Sequence, residues 1–423
     1  MGKYTFVDLF AGCGGLSDGF MQSGAYDGIA HVEWELPMVK SLRNRLVQKY
    51  GYSKEDAERK VVHFDIQNHY ELVHGNWTIP TRKKYEQTNH RDVVEFGLRG
   101  IEAKSVDLVI GGPPCQAYSI AGRAQDPNSM QNDYRNFLFE SFMEVVSETK
   151  PKLFVFENVP GMLSAKPGGI AITKRIHEAF SKLGYEILPP EQFSKAVFDT
   201  SDYGVPQARR RVIILGKRRD VTIELDEIYD SLRKAKKSVE KRRTVRDAIS
   251  DLSELLPLAA PFKEGNRNVS HTFSDSTADH IPRFHNKRDQ TIFRNWITKK
   301  ANKWSTKEKL NFYTQQTGRI SNHNKYRNLE WDSPSPTIVA HLAKDGLMFI
   351  HPDEKQARTI TVREAARLQG FSDDFEFIGS MASKFKMIGN AVPPPFAKCI
   401  ALVCTEILKQ IDNEKKVECS SGV

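Results

Sequence analysis

A cysteine follows two prolines in "GGPPCQAYS", Gly111 to Ser119, directly after the apolar run "SVDLVIGG". Proline fixes the backbone and removes an amide donor, so Cys115 is held in a set direction at the end of a strand. A thiolate there is a nucleophile for covalent catalysis; the plainer alternative is the small, inert core cysteine. Glu157, in "ENVPG", ends a second apolar run and is either a working carboxylate or a helix cap. In "QARRRV", Arg209 and Arg211 alternate along an extended segment and share one side of it. Taken alone, that triplet also reads as a solvated basic run.

These residues need elements that bring them together. Strands are expected at Tyr4–Phe10, Gly28–Val32, Val61–Asp65, in "VDLVIGG", at Leu153–Val159 and at Arg211–Gly216, with helices over Glu35–Lys49, Asn136–Thr149 and Ile170–Gly184. Alternating strands and helices predict a mostly parallel, doubly wound sheet covered on both faces. In such a sheet the carboxyl ends of the strands face one crevice, which brings Cys115 and Glu157 near each other.

The first of those strand ends carries "DLFAGCGG", Asp8 to Gly15. Glycines at a first β-to-α turn let a ligand approach the backbone, although such a loop can also be only a tight turn. Glu33 stands at the tip of the second strand, where a carboxylate grips ribose hydroxyls. Asp65, at the end of the third, is placed for an adenine amino group. The turn is neither G-x-G-x-x-G nor a P-loop, which disfavours dinucleotides and ATP. S-adenosylmethionine carries no phosphate and fits better.

The 423 residues carry 62 Lys/Arg against 53 Asp/Glu, a formal charge of +9, which permits a polyanionic partner without proving one. Five cysteines without a C-x-x-C pair suggest free thiols and no metal site. No window has the apolar length of a membrane span, and "MGKYTFVDLF" runs straight into a strand, so neither a membrane nor a secretory signal is expected.

In order along the chain stand "FVDLFAGCGG", "GGPPCQAYS", "ENVPG", "QARRRVIILG", "RTITVREAARLQGF" and "IGNAVPPPFAKCIA". With these blocks the chain resembles the DNA (cytosine-5) methyltransferases, from end to end except for the middle. The resemblance implies a Rossmann-like S-adenosylmethionine-dependent domain with a smaller target-recognition domain. Cys115 is then the nucleophile that adds to carbon 6 of a flipped-out cytosine. Glu157 holds ring nitrogen 3 and the amino group, and Arg211 meets the ring carbonyl with Arg209 in support. The cofactor would be held by Phe10, stacking on adenine, by Gly12, Gly14, Gly15, Glu33, Asp65, Ile66 and Pro113, and by Asn390 at its methionine end. Trp34 packs beside the adenine or only within the protein. The remaining alternatives are a tRNA cytosine-5 methyltransferase of the same fold and a silent DNA-binding paralogue.

The expected organisation is a catalytic domain over 1–218, completed by 388–423, a target-recognition domain over 219–357 and a hinge over 358–387. Residues 217–243 hold ten Lys/Arg against six Asp/Glu and mark the change in pattern. A short strand pair, "SPTIVAH" with "GLMFIH", is expected later, then a helix in "VREAARLQGF" and a last apolar helix over Phe396–Ile411. The basic middle suits double-stranded DNA, its cations meeting mostly phosphates; the aromatics of Asp289–Lys300 read better as inward packing. Residues Ser119–Arg135 read as a loop closing over the crevice. The stretch between Asp65 and Gly111 is longer than the resemblance requires and reads as surface structure in preference to a DNA-facing embellishment. A cytoplasmic, monomeric enzyme with no obligate protein partner is expected, paired in function with a restriction endonuclease or standing alone.

Overall fold

The computed structural model describes residues 2–100, 105–113, 138–237, 241–273 and 277–421. The strands are β1 (Tyr4–Leu9), β2 (Tyr26–Glu33), β3 (Val61–His63), β4 (Leu108–Gly111), β5 (Leu153–Asn158), β6 (Tyr185–Glu186), β7 (Val197–Asp199), β8 (Gln207–Ala208), β9 (Arg210–Arg218), β10 (Pro257–Glu264), β11 (Arg267–His271) and β12 (Ser335–Pro336). The chain forms two compact units, one of Met1–Gly204, Arg210–Glu240 and Ala391–Val423, the other of Val205–Arg209 and Lys241–Asn390.

The first unit is built on one sheet of order β3-β2-β1-β4-β5-β9-β6, with β7 also on β9. Strands β3 to β5 of that order are parallel, and β9 runs antiparallel to β5. The order turns back between β1 and β4, and in open α/β sheets ligands bind beyond the carboxyl ends of the strands at that switch. β4 and β5 are buried almost throughout, as strands covered on both faces must be. Phe154 stacks on Phe180 with centroids 4.1 Å apart, and Phe142 packs edge-on to Phe156.

Residues beyond Lys217 stay with the first unit as far as Glu240. The helix Leu225–Lys237 folds back and buries Ile228, Tyr229 and Leu232. The Tyr229 hydroxyl donates to the Ile213 carbonyl and accepts from the Leu215 amide, which ties this basic, amphipathic helix to β9.

The C-terminal helix Pro394–Ser421 lies against α1 (Gly15–Gln22), where Gly19 leaves room for Ala397. Contrary to expectation, one stretch, 381–414, is long and apolar enough by composition to cross a membrane. Prolines 393–395 interrupt it, and 72% of its most apolar window is buried within the protein, so it reads as core.

The stretch after Asp65 is a folded cap of short helices, His69–His74, Ile79–Tyr85 and Arg91–Phe96. Trp77 and Tyr85 pack on Phe64 at 4.7 and 5.2 Å between centroids, so the cap covers β3 at the edge of the sheet.

In the second unit Ile292, Phe293, Trp296, Phe312, Tyr326 and Ile350 form one core, so the aromatics of 289–300 do face inward. β10 and β11 make an antiparallel hairpin. The expected pairing of "SPTIVAH" with "GLMFIH" does not form. Ser335–Pro336 pairs in parallel with β8, and Ile350 makes single bridges to Asn328 and Thr359. The Gln207 side chain directs this arrangement by accepting from the Ile338 amide at 2.8 Å. Beneath it Arg358 and Glu364 are buried as a two-pronged ion pair, at 2.7 Å on each prong.

Candidate active site and cofactor pocket

β1 ends at Leu9, and Phe10, with a left-handed φ of 61°, turns the chain into the glycines. Of the three glycines assigned to the cofactor, only Gly12 (φ 58°) faces open space. A side chain on Gly14 would meet Leu42, and one on Gly15 would strike the Val392 carbonyl. Close packing by itself requires glycine at positions 14 and 15, and Gly12 leaves the backbone open to a ligand.

Glu33 is only 5% exposed. Its carboxylate accepts from the amides of Gly12 (2.8 Å), Trp34 (2.9 Å) and Glu35 (2.8 Å). Burial pushes its pKa up to about 7 against those amides, which pull it down. The acid read as a ribose ligand thus also ties the glycine turn to the tip of β2. Trp34 follows it with 52% of its surface exposed, so it is not packing filler.

β3 stops at His63, short of Asp65. Asp65 instead caps the 3-10 turn Ile66–Asn68, accepting from the Gln67 amide at 3.1 Å, and Ile66 is buried. One Asp65 oxygen is therefore committed to the backbone.

The pattern of residue types did not single out Ser17 and His31. Ser17 donates to the Asp8 carboxylate, and its Oγ lies 2.7 Å from His31 Nδ1, all three buried under the turn. Burial raises the Asp8 pKa to about 7 and lowers that of His31 to about 3. The available signal was an aspartate inside the apolar run "YTFVDLF".

On the catalytic side, β4 leads into Gly111, Gly112 and the buried Pro113. Cys115 and the loop Ser119–Arg135 lie outside the described residues. A side chain on Gly112 would come within 2.7 Å of Glu157 Oε2, so the end of β4 lies directly against the Glu157 carboxylate. Glu157 Oε1 receives Arg211 Nε at 2.8 Å, with both side chains about 12% exposed. The structure brings Glu157 and Arg211 together at the strand ends.

Arg209 is placed differently. It belongs to the second unit, is 2% exposed, and donates to the carbonyls of Ile338 (2.8 Å) and Gly389 (3.0 Å). The arginine motif crosses from one unit to the other between Arg209 and Arg210. Asn390, the last residue of the second unit, is exposed at the end of the helix Met381–Asn390. The next residues, Ala391 and Val392, pack on Gly15 within the first unit.

A parallel-rich doubly wound sheet with a glycine turn at the switch and an acid–arginine pair at adjacent strand ends defines a methyltransferase-type α/β fold. Two solved structures share it along nearly the whole chain. A DNA modification methyltransferase encoded within an E. coli prophage superposes with a TM-score of 0.60 at 22% identity, covering 96% of this chain and 100% of that one. The S. pombe Dnmt2 methyltransferase gives 0.52 at 14% identity, with 97% and 99% covered.

Residues 76–406 match the C-5 cytosine-specific DNA methylases. Type II methyltransferase M.Bpa9945I of Bacillus paralicheniformis is 32% identical over 95% of this chain and 98% of its own length. M.PspPI of Psychrobacter sp. is 32% identical over 96% and 80%, and M.DdeI of Desulfomicrobium norvegicum 30% over 94% and 87%. The chain belongs to the C-5 cytosine-specific DNA methylase family, and is an enzyme that methylates cytosine in DNA.

Proposed function

We propose that the protein uses S-adenosylmethionine to methylate carbon 5 of a cytosine flipped out of a specific duplex sequence, through a covalent Cys115 adduct. The paired Glu157 and Arg211, 2.8 Å apart beside Gly112, carry this reading. Carbon 5 of cytosine is a poor nucleophile. When the Cys115 thiolate bonds to carbon 6, electron density moves into the ring, and Glu157 delivers a proton to nitrogen 3. Carbon 5 then becomes an enamine carbon able to take a methyl group. The Arg211 guanidinium steadies the ring carbonyl and keeps Glu157 in position. Loss of the carbon 5 proton to water, return of the nitrogen 3 proton to Glu157 and expulsion of the Cys115 sulfur as thiolate restore the aromatic ring and free the enzyme. Arg209 acts by anchoring the start of the motif to the carbonyls of Ile338 and Gly389.

Phe10, Gly12, Glu33, Trp34, Asp65, Ile66 and Pro113 would hold the cofactor. The open backbone at Gly12 and the exposed indole of Trp34 suit a flat adenosine. When bound, the cofactor supplies an electrophilic methyl group on a sulfonium.

The second unit reads the bases around the target. The named relatives are type II methyltransferases, which supports a protective role beside a restriction endonuclease for a monomer acting in the cytoplasm.

The test is a duplex with 5-fluorocytosine at the target. Fluorine cannot leave as a cation, so wild type with cofactor should yield an adduct that survives a denaturing gel, and Cys115→Ser should yield none. An adduct from Cys115→Ser, or none from wild type, would overturn the mechanism.

A further inference from the structure

We propose that the helical cap over residues 66–100 is a buttress for the adenosine wall of the cofactor pocket, with His63 and Asn89 as its positioning residues. This rests on the assignment of Glu33, Trp34 and Asp65 to that pocket.

The cap hydrogen-bonds to the sheet at His63, the last residue of β3. On one side β3 is bound to β2, with His63 in register with Glu33, and the Phe64 amide donates to the Glu33 carbonyl at 2.9 Å. β2 ends there, yet the ladder continues through a side chain. The His63 ring nitrogen Nε2 lies 3.0 Å from the Trp34 carbonyl. Successive carbonyls at the tip of β2 are thus held by β3, the second by an imidazole. Trp34, exposed and already tied to the Glu33 carboxylate through its amide, is held through its carbonyl as well.

On its other side β3 is a sheet edge. Asn89 fills the role of a missing strand there. Its Oδ1 accepts from the His63 amide and its Nδ2 donates to the His63 carbonyl, both at 2.8 Å. The same Nδ2 reaches the Tyr85 carbonyl at 2.9 Å, and the Tyr85 ring stands edge-on to His63, 5.2 Å away. Thr88 Oγ1 sits 2.7 Å from His63 Nδ1, and Arg43 joins Val61 O to Thr88 O. Three neighbouring cap residues, Tyr85, Thr88 and Asn89, grip the residue that grips Trp34.

The bond to Trp34 also withstands titration. A carbonyl only accepts, so Nε2 carries the hydrogen. Burial lowers the His63 pKa, against the Trp34 bond that raises it and with Arg43 and Lys84 that lower it further. In the neutral ring Nδ1 accepts from the Thr88 hydroxyl. If the ring gains a second proton, that hydroxyl turns to the Tyr85 carbonyl, 2.9 Å away, and Nε2 still donates to Trp34.

The test uses the full-length protein, with S-adenosylmethionine titrated in a calorimeter and methylation followed at steady state. Asn89→Ala and His63→Ala should each raise KM and Kd for S-adenosylmethionine about tenfold, the effect of losing one well-placed hydrogen bond. The rate at saturating cofactor and the DNA sequence methylated should stay near wild type. His63→Gln should recover much of the affinity, because its amide can donate to Trp34. Thr88→Val, a milder change, replaces any variant that does not fold. Unchanged KM and Kd, with only a lower melting temperature or a lower rate at saturation, would reduce the cap to scaffolding and overturn the proposal. Glu33→Gln separates the two readings. If it weakens binding and the cap variants do not, the buttress alone fails; if it too has no effect, the pocket assignment fails with it.

Discussion

Arg211 Nε lies 2.8 Å from Glu157 Oε1 where β5 and β9 run antiparallel, and both side chains are nearly nine-tenths buried. Opposite charges this close hold each other in a single geometry. Glu157→Gln keeps the shape but removes both the charge and the proton donor. Its turnover should fall about 10²–10⁴-fold, with DNA affinity nearly kept. Arg211→Lys should also be severely slowed, since an ammonium cannot reproduce the planar fork. Single-turnover rates at saturating DNA decide this, and a Glu157→Gln enzyme of near-normal rate would remove Glu157 from the chemistry.

Gly112→Ala places a methyl group within 2.7 Å of Glu157 Oε2. The carboxylate must shift, because β4 and β5 are fixed neighbours in the sheet. Turnover should drop at least tenfold with only a modest fall in melting temperature, as a displacement of about 1 Å at a reacting centre costs rate before it costs stability. Wild-type kinetics would show that the strand end yields instead.

Glu33→Ala removes the shared acceptor of three backbone amides as well as the proposed ribose contact. Cofactor binding should weaken by about 1.5–3 kcal/mol, the cost of a lost charge-assisted hydrogen bond. The melting temperature should fall as well, because the glycine turn loses its tie to β2. Calorimetry with S-adenosylmethionine and a thermal scan of the free protein measure the two separately. Loss of DNA affinity without loss of cofactor affinity would contradict the placement.

In the second unit a recess of about 370 Å³ is lined by Lys309, Asn324, Tyr326, Arg327 and Asn328 among others. The Arg327 backbone is bonded to both Leu347 and Ile350, so an exposed guanidinium projects from a fixed point. Arginine and asparagine side chains are the usual readers of base edges. Arg327→Ala and Asn324→Ala should change or relax the methylated sequence, with adduct formation on 5-fluorocytosine retained. Genome-wide cytosine methylation in cells expressing each variant is the measurement. An unchanged sequence in both would move recognition elsewhere in the unit.

His271, His285 and His351 are buried in the second unit, with pKa values pushed down from 6.5 to about 4, 3 and 3, chiefly by desolvation. The unfolded chain binds these protons first, so their stability is present above pH 6.5 and is lost as pH falls towards 4. Each histidine contributes a slope of about 1.4 kcal/mol per pH unit in that window. Asp8 and Glu33 act in the opposite sense, since carboxyls raised to about 7 favour the folded state below about pH 4 and lose that advantage as pH rises through 7. His285→Gln should flatten the acid limb of melting temperature against pH; an unchanged limb would mean the histidines are already charged when folded.

Much of the first unit was legible because its signals are local. Apolar runs bounded by glycine and proline mark β1, β4 and β5, and the residues that carry chemistry stand at their ends: Phe10 to Gly15, Gly111 to Pro113, Glu157. The order of those blocks is itself enough to indicate the family. What needed tertiary structure was anything decided by a distant partner. Glu33 and Asp65 read as ligands, but only the fold shows Glu33 holding a turn 21 residues away and Asp65 capping its own. Arg209 and Arg211 alternate identically in the sequence. They part because one meets the carbonyls of Ile338 and Gly389 and the other the Glu157 carboxylate. "SPTIVAH" and "GLMFIH" have strand composition but no shared ladder, since Gln207 and β8 claim the first. The region over 66–100 carries no motif, and its meaning rests on where Asn89 falls beside His63, 26 residues away. Periodicity and turn chemistry act over a few residues and are written in the sequence; a hydrogen bond between side chains far apart in the chain exists only once the sheet has closed around both.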